Sequence, residues 1–118
     1  MPIPDFTPEE LEVIQDIVQQ RYRKPVSLEL ADSELRLNPA SRELTLCPTA
    51  FWSEKGANFA IFKTGEGRYR CLFFYSASEQ YGTGIEEYQD LATCATTLLQ
   101  VQADHEAQRQ GIPSSQGH

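Results

Sequence analysis

The sequence predicts an α+β domain in which an antiparallel five-stranded sheet packs against an N-terminal helix and a long C-terminal helix. Apolar residues recur at helical spacing from Leu11 to Tyr22, and again from Ile85 to about Arg109. Between these segments apolar and polar residues alternate, which is typical of strands with one buried face. We expect residues 1–110 to form a single domain and residues 111–118 to form a disordered tail.

The first helix has clear local signals at both ends. Thr7 is a candidate N-cap, Pro8 suits the first turn, and Glu10 completes a capping box. Pro25 disfavours helical backbone in the residue before it, so we expect the helix to end near Arg23.

The alternating pattern predicts three short strands followed by a hairpin. The short strands cover residues 26–30, 35–37 and 44–46, with turns at 31–33 and 38–41. The hairpin joins residues 57–63 to 68–75 through a turn that contains two glycines. We predict a short middle helix over 48–55, with a loop held by its aromatic residues as the alternative.

Charge and composition exclude several classes of function. The net charge of −7 opposes binding to nucleic acid and to anionic membrane surfaces. No apolar run reaches the roughly 18 residues of a membrane span, and the N-terminus has no signal-peptide pattern. Three widely spaced cysteines suit reduced thiols, so we expect a cytoplasmic protein.

No motif in the chain indicates catalysis, a metal or a cofactor. The two histidines are His105 and His118, and no cysteine pair has the spacing of a zinc site. Cys47 precedes a proline at a strand end and is the most reactive-looking thiol by position. We interpret all three cysteines as small buried hydrophobic residues. An enzymatic function is therefore not favoured, and no cofactor is expected.

Strand alternation predicts an uncovered apolar patch on one face of the sheet. Most apolar strand residues share the other face, which is long enough to hold both helices. In the last hairpin, however, apolar side chains also point to the second face, where two arginines provide a polar rim. The alternative is that Phe51 and Trp52 fold over this patch and cover it. The predicted protein-binding residues are Phe62, Leu72, Phe74, Arg68, Arg70 and Trp52.

The element order, the acidity and the small size resemble those of the chaperones of type III secretion effectors. That resemblance implies a non-enzymatic accessory protein that binds another protein as a homodimer. Two other functions stay open from the residues alone. One is a small enzyme or small-molecule-binding domain with a pocket near Trp52. The other is an acidic inhibitor or nucleic-acid mimic, suggested by residues 71–108, which contain six acids and no lysine or arginine.

We expect neither a metal nor a disulfide to stabilise the protein, because the ligand spacing is missing and the number of cysteines is odd. Melting temperatures measured with and without a chelator, and with and without a reductant, should agree. A large decrease under either condition would contradict this expectation.

Overall fold

The structure is a computed structural model that describes residues 3–109, so the predicted disordered tail lies outside the described residues. It confirms the predicted fold class: a five-stranded antiparallel sheet with an N-terminal and a C-terminal helix. The elements in chain order are α1 (Pro8–Tyr22), β1 (Glu29–Leu35), β2 (Thr45–Glu54), β3 (Ala57–Gly65), β4 (Arg68–Ser76), β5 (Glu79–Tyr81) and α2 (Leu91–Arg109). Each strand pairs with the next, so β1 and β5 form the two edges of the sheet.

The ends of α1 form as its residues predict. The Thr7 hydroxyl accepts a hydrogen bond from the Glu10 amide at 3.1 Å, and the Glu10 carboxylate accepts one from the Thr7 amide at 2.7 Å. This capping box satisfies two amide groups that the first helical turn leaves unpaired. The helix ends at Arg23, which takes a left-handed conformation with φ of 58°.

The predicted hairpin between β3 and β4 is also confirmed. The two strands pair from Asn58 opposite Phe74 to Gly65 opposite Arg68. Gly67 in the turn has φ of +72°, a conformation that glycine adopts without steric cost.

The sequence predicts three short strands before the hairpin, but the structure has two strands there, β1 and β2. Residues 31–33, expected to form a turn, continue through the middle of β1 and pair with β2 from Thr49 to Cys47. A hydroxyl hydrogen bond of 2.8 Å between Thr49 and Ser33 adds to this pairing. Cross-strand contacts therefore override a local sequence that is compatible with a turn.

The predicted middle helix is a strand. Residues 48–54 belong to the long central strand β2, which pairs with β1 on one side and β3 on the other. Pro48 precedes Thr49, the first residue of β2 that pairs with β3, so its missing N–H removes no ladder bond on that side.

The last helix begins later than predicted, at Leu91 rather than Ile85. Tyr88 is held outside the helix because its amide and carbonyl both bond the backbone of Tyr69, at 2.7 and 2.9 Å. Asp90 then caps the helix by accepting a hydrogen bond from the Thr93 amide at 2.9 Å. The predicted polar loop before it contains the short strand β5.

The main core lies between one face of the sheet and the two helices. The Trp52 and Phe59 rings stack at a centroid distance of 5.1 Å in its centre. Leu98 of α2 and Ile14 of α1 are fully buried against the sheet residues. Leu30 and Leu46, expected on this face, are 60% and 57% exposed. Leu30 lies on the edge strand β1, and Leu46 lies before Thr49, where the pairing of β2 with β3 begins.

A buried ion pair joins α1 to the sheet. The Lys63 ammonium donates to the Glu10 carboxylate at 2.8 Å and to the Asp5 carbonyl at 2.9 Å. The Tyr69 hydroxyl donates to the same carboxylate. Burial by itself raises the pKa of Glu10, but these donors and the Thr7 amide together hold that pKa below its ordinary value.

Leu98→Ala should lower the free energy of unfolding by about 2–5 kcal/mol, because the substitution leaves a cavity in the core. Leu44→Ala is the matched control: this leucine is 54% exposed, so its truncation should cost less than about 0.5 kcal/mol. Denaturant unfolding followed by the fluorescence of Trp52 measures both. An effect of Leu98→Ala as small as that of the control would contradict the described packing.

Glu10→Gln should cost about 3 kcal/mol at neutral pH, because it leaves the Lys63 charge buried without its partner. The folded pKa of Glu10 is depressed, so its contribution is present above the unfolded pKa of about 4.3 and is lost as pH falls through the folded value. The difference in the free energy of unfolding between wild type and variant should therefore become smaller below about pH 4. Glu12→Gln, at an exposed position of the same helix, should show no such convergence. A difference independent of pH would contradict the ion pair's role.

Candidate functional site

The face of the sheet opposite the helices carries its own row of apolar side chains. Pairing places Phe51 beside Ala60 and Ala60 beside Leu72, across the three central strands. The smaller hydrophobic cluster on this face contains no residue of either helix. The strands therefore present an apolar surface that the described helices leave uncovered.

This surface contains a groove of about 510 Å³ that reaches from the outer strand β1 to β5. Its lining is mostly apolar and includes one charged side chain, that of Glu29 at the edge of the sheet. The residues that line it are Glu29, Leu30, Ala31, Ser33, Leu35, Thr49, Phe51, Ala60, Phe62, Leu72, Phe74 and Gln80.

Two aromatic rings form one wall of the groove. The centroids of Phe51 and Phe74 are 6.0 Å apart, with the ring planes tilted by 40°. Both residues and Leu72 are half-buried, so part of each side chain is in contact with solvent. In the middle of β1 the side chains on the same face are small, namely Ala31 and Ser33, so the surface is lower there than at Glu29 and Leu35 on either side.

Phe62 is one of the residues that line the groove. It was predicted to be uncovered, but it is only 8% exposed. It belongs to a small buried cluster with Cys47, against which Leu37, in the loop after β1, and Ile3 pack. The sequence prediction was wrong here because it assigned residues 35–37 to a separate strand. Phe62 thus forms the base of the groove rather than an exposed anchor.

Two hydroxyl groups on the groove surface are already paired with each other. The Thr49 hydroxyl is 2.8 Å from the Ser33 hydroxyl and 3.1 Å from the Cys47 carbonyl. These bonds leave no convergent set of polar groups that would orient a small polar ligand. The groove is therefore suited to apolar contact.

The two predicted rim arginines have different surroundings. The Arg70 guanidinium donates to the Leu37 carbonyl at 3.3 Å and lies 3.5 Å from Glu86 and 3.7 Å from Glu87. The exposed Arg68 lies against Gly65 at the start of β4. Neither arginine lines the groove, and the charge of Arg70 is balanced within the chain.

Trp52 does not share a surface with the other predicted binding residues. Alternation along β2 puts it on the helix face, where it is 1% exposed. A shallow hollow of about 290 Å³ lies near it, between the end of α1 and β2, and is lined mainly by polar and charged residues. The alternative in which Phe51 covers the apolar patch also fails, because Phe51 forms part of the groove wall.

The cysteines and the histidine of the described chain lack the surroundings of catalytic groups. Burial raises the pKa of the Cys47 thiol, and the charge of Arg70 offsets this only partly. The pKa of Cys94 is raised by a hydrogen bond with Cys71 and by burial. His105 packs among aromatic rings, with its Nδ1 atom 3.3 Å from the Tyr75 hydroxyl. Within residues 3–109, no group of three or more His, Cys, Asp or Glu side chains is placed to hold a metal ion.

Sequence reasoning missed most of the residues that line the groove, among them Ala31, Leu35 and Phe51. Two elements were misassigned, and an error of one residue in strand parity moves every side chain to the opposite face. The missed signal was the alternation of Cys47, Thr49 and Phe51 with Ala50 and Trp52, which extends the strand pattern through the segment assigned to a helix.

Comparison with known proteins finds no matching family model, no matching curated protein and no matching solved structure. Across the described residues, no helix has the length and apolar character needed to span a membrane.

Proposed function

We propose that this protein is a non-enzymatic accessory protein of the cytoplasm that binds another protein through the groove on the open sheet face. The observation that carries the proposal is the groove itself, with its wall formed by Phe51, Leu72 and Phe74. An exposed apolar surface of this kind is typical of interaction sites, since monomeric proteins rarely leave such a patch in contact with water.

The aromatic residues provide the binding energy in this proposal. Burying apolar area stabilises association by about 25 cal/mol per Å², before the entropy cost of association is subtracted. Aromatic side chains are enriched among the residues that dominate interface energetics. Phe74 is the central anchor, because it faces Phe51 within its own sheet and is still half-exposed.

A small-molecule site is the second candidate, and the volume of the groove is the observation that favours it. The groove is wide open along the sheet, and its hydroxyl groups already bond one another. These features favour a protein segment, which makes extended apolar contacts, over a compact ligand that needs polar groups for orientation.

The expected homodimer belongs to the same proposal. In a dimer related by a two-fold axis, the groove faces of two copies bury each other's aromatic residues. Dissociation of the dimer by a charge at Phe74 would identify this face as the interface.

Phe74→Asp should abolish association with the protein partner, because it introduces a charge where the interface must lose water. The matched control is Leu44→Asp, which adds the same charge at an exposed leucine outside the groove lining. Circular dichroism checks that both variants fold. Light scattering measures self-association, and affinity capture from the native host compares the partner recovered by each variant.

We expect the control to behave as wild type, while Phe74→Asp loses the dimer, the recovered partner or both. A folded Phe74→Asp variant that keeps both would reject the groove as the binding site, and the small-molecule reading would then be the better one.

A further inference from the structure

Strand β1 is an exposed edge of the sheet. It pairs with β2 on one side, and within residues 3–109 no strand pairs with it on the other. All seven of its residues, Glu29–Leu35, are exposed or half-buried. An edge strand of this length presents unpaired backbone N–H and C=O groups, which another extended chain can bond. The opposite edge is less suited, because β5 has only three residues.

Apolar side chains are exposed on both faces of β1. Leu30 is 60% exposed on the helix side. On the other side, Ala31 and Leu35 line the groove, so the groove extends to the free edge of the sheet. A strand added to β1 would lie about 4.8 Å away, and its alternate side chains would point over the low surface formed by Ala31 and Ser33.

The charges of β1 are all negative. Asp32 and Glu34 point to the helix side with Leu30, and Glu29 points to the groove side. None of these three acids takes part in an ion pair within the described part of the chain. The nearest base along the chain, Arg36, lies just beyond the last residue of the strand. An added strand therefore meets two unpaired carboxylates on one face and an apolar groove on the other.

This pattern disfavours pairing between two copies of β1. An antiparallel pair centred on Asp32 places that carboxylate opposite itself, and a pair centred on Ser33 places Asp32 opposite Glu34. Like charges directly opposite in a sheet are destabilising. The acids thus block self-pairing while they favour a strand of opposite charge.

We propose that β1 binds an extended segment of a partner protein as a sixth strand, and that this segment alternates apolar residues with lysine or arginine. The apolar residues enter the groove beside Ala31 and Leu35, and the basic residues lie beside Asp32 and Glu34. Backbone hydrogen bonds supply sequence-independent affinity, and the two faces supply specificity. This inference rests on the proposed function and adds the chemistry of the partner.

Synthetic peptides of about eight residues test the proposal on the full chain. A blocked peptide that alternates valine and lysine is compared with one of the same composition in two blocks, and with one that alternates valine and glutamate. Fluorescence anisotropy at low ionic strength measures the dissociation constants. We expect the alternating valine–lysine peptide to bind at least about tenfold more tightly than either control.

Two further measurements separate strand addition from charge attraction. The double variant Asp32→Lys, Glu34→Lys should reverse the preference, so that the valine–glutamate peptide binds better. N-methylation of the backbone amides of either all the valines or all the lysines removes the N–H donors along one edge of the peptide strand. One of these two methylated peptides should lose binding by at least about tenfold, because its blocked edge is the one that pairs with β1.

The outcomes distinguish this inference from the proposed function. If no peptide binds up to about 1 mM, or if both methylated peptides bind as well as the parent, addition to β1 is rejected. If the methylated peptides bind as well as the parent and this binding depends on Phe74, the groove remains a binding site without strand pairing. If folded Phe74→Asp changes neither self-association nor capture of the native partner, the proposed function fails as well.

Discussion

The packing of both helices on one face of the sheet is the constraint on which the rest of the molecule depends. The helices bury the aromatic pair Trp52 and Phe59, and the Glu10–Lys63 ion pair ties α1 to that side. In β2 and β4, however, large apolar residues point to both faces: Phe51 is next to Trp52, and Phe73 lies between Leu72 and Phe74. With the helices on the first face, Phe51 and Phe74 on the second stay partly exposed. The groove is therefore a direct result of how the core is built.

Features set by local sequence could be predicted, and features set by pairing between distant strands could not. The capping box at Thr7 and the turn at Gly67 depend on neighbouring residues, and both form as expected. The ends of β1 and β2 depend on pairing across the sheet. Because of that pairing, residues 31–33 and 48–54 are strand rather than the predicted turn and helix. The core residue Leu98 was recognised from helical spacing alone. The start of α2 was missed because Tyr88 pairs with Tyr69, a contact that no local pattern reveals.

The candidate site was predicted in part for the same reason. Leu72 and Phe74 were correctly predicted to lie on this face, because the hairpin was predicted correctly. Trp52 was wrongly predicted to lie there, because β2 was not recognised, and it is in the core. The charged side chains near the groove also differ in whether they are paired. Arg70 is balanced by the loop before α2, while Asp32 on the outer strand has no ion-pair partner in the described chain. An apolar groove beside an unpaired acidic edge is an arrangement that suits an extended, basic and apolar protein segment.

Mapping of backbone amide chemical shifts by NMR, during titration with the alternating valine–lysine peptide, tests the central claim most directly. The account predicts shift changes concentrated in β1 and in the adjoining part of the groove, at Ala31, Ser33 and Phe51, with little change in α1 or α2. Shift changes confined to the helices, or spread evenly over the acidic surface, would contradict it.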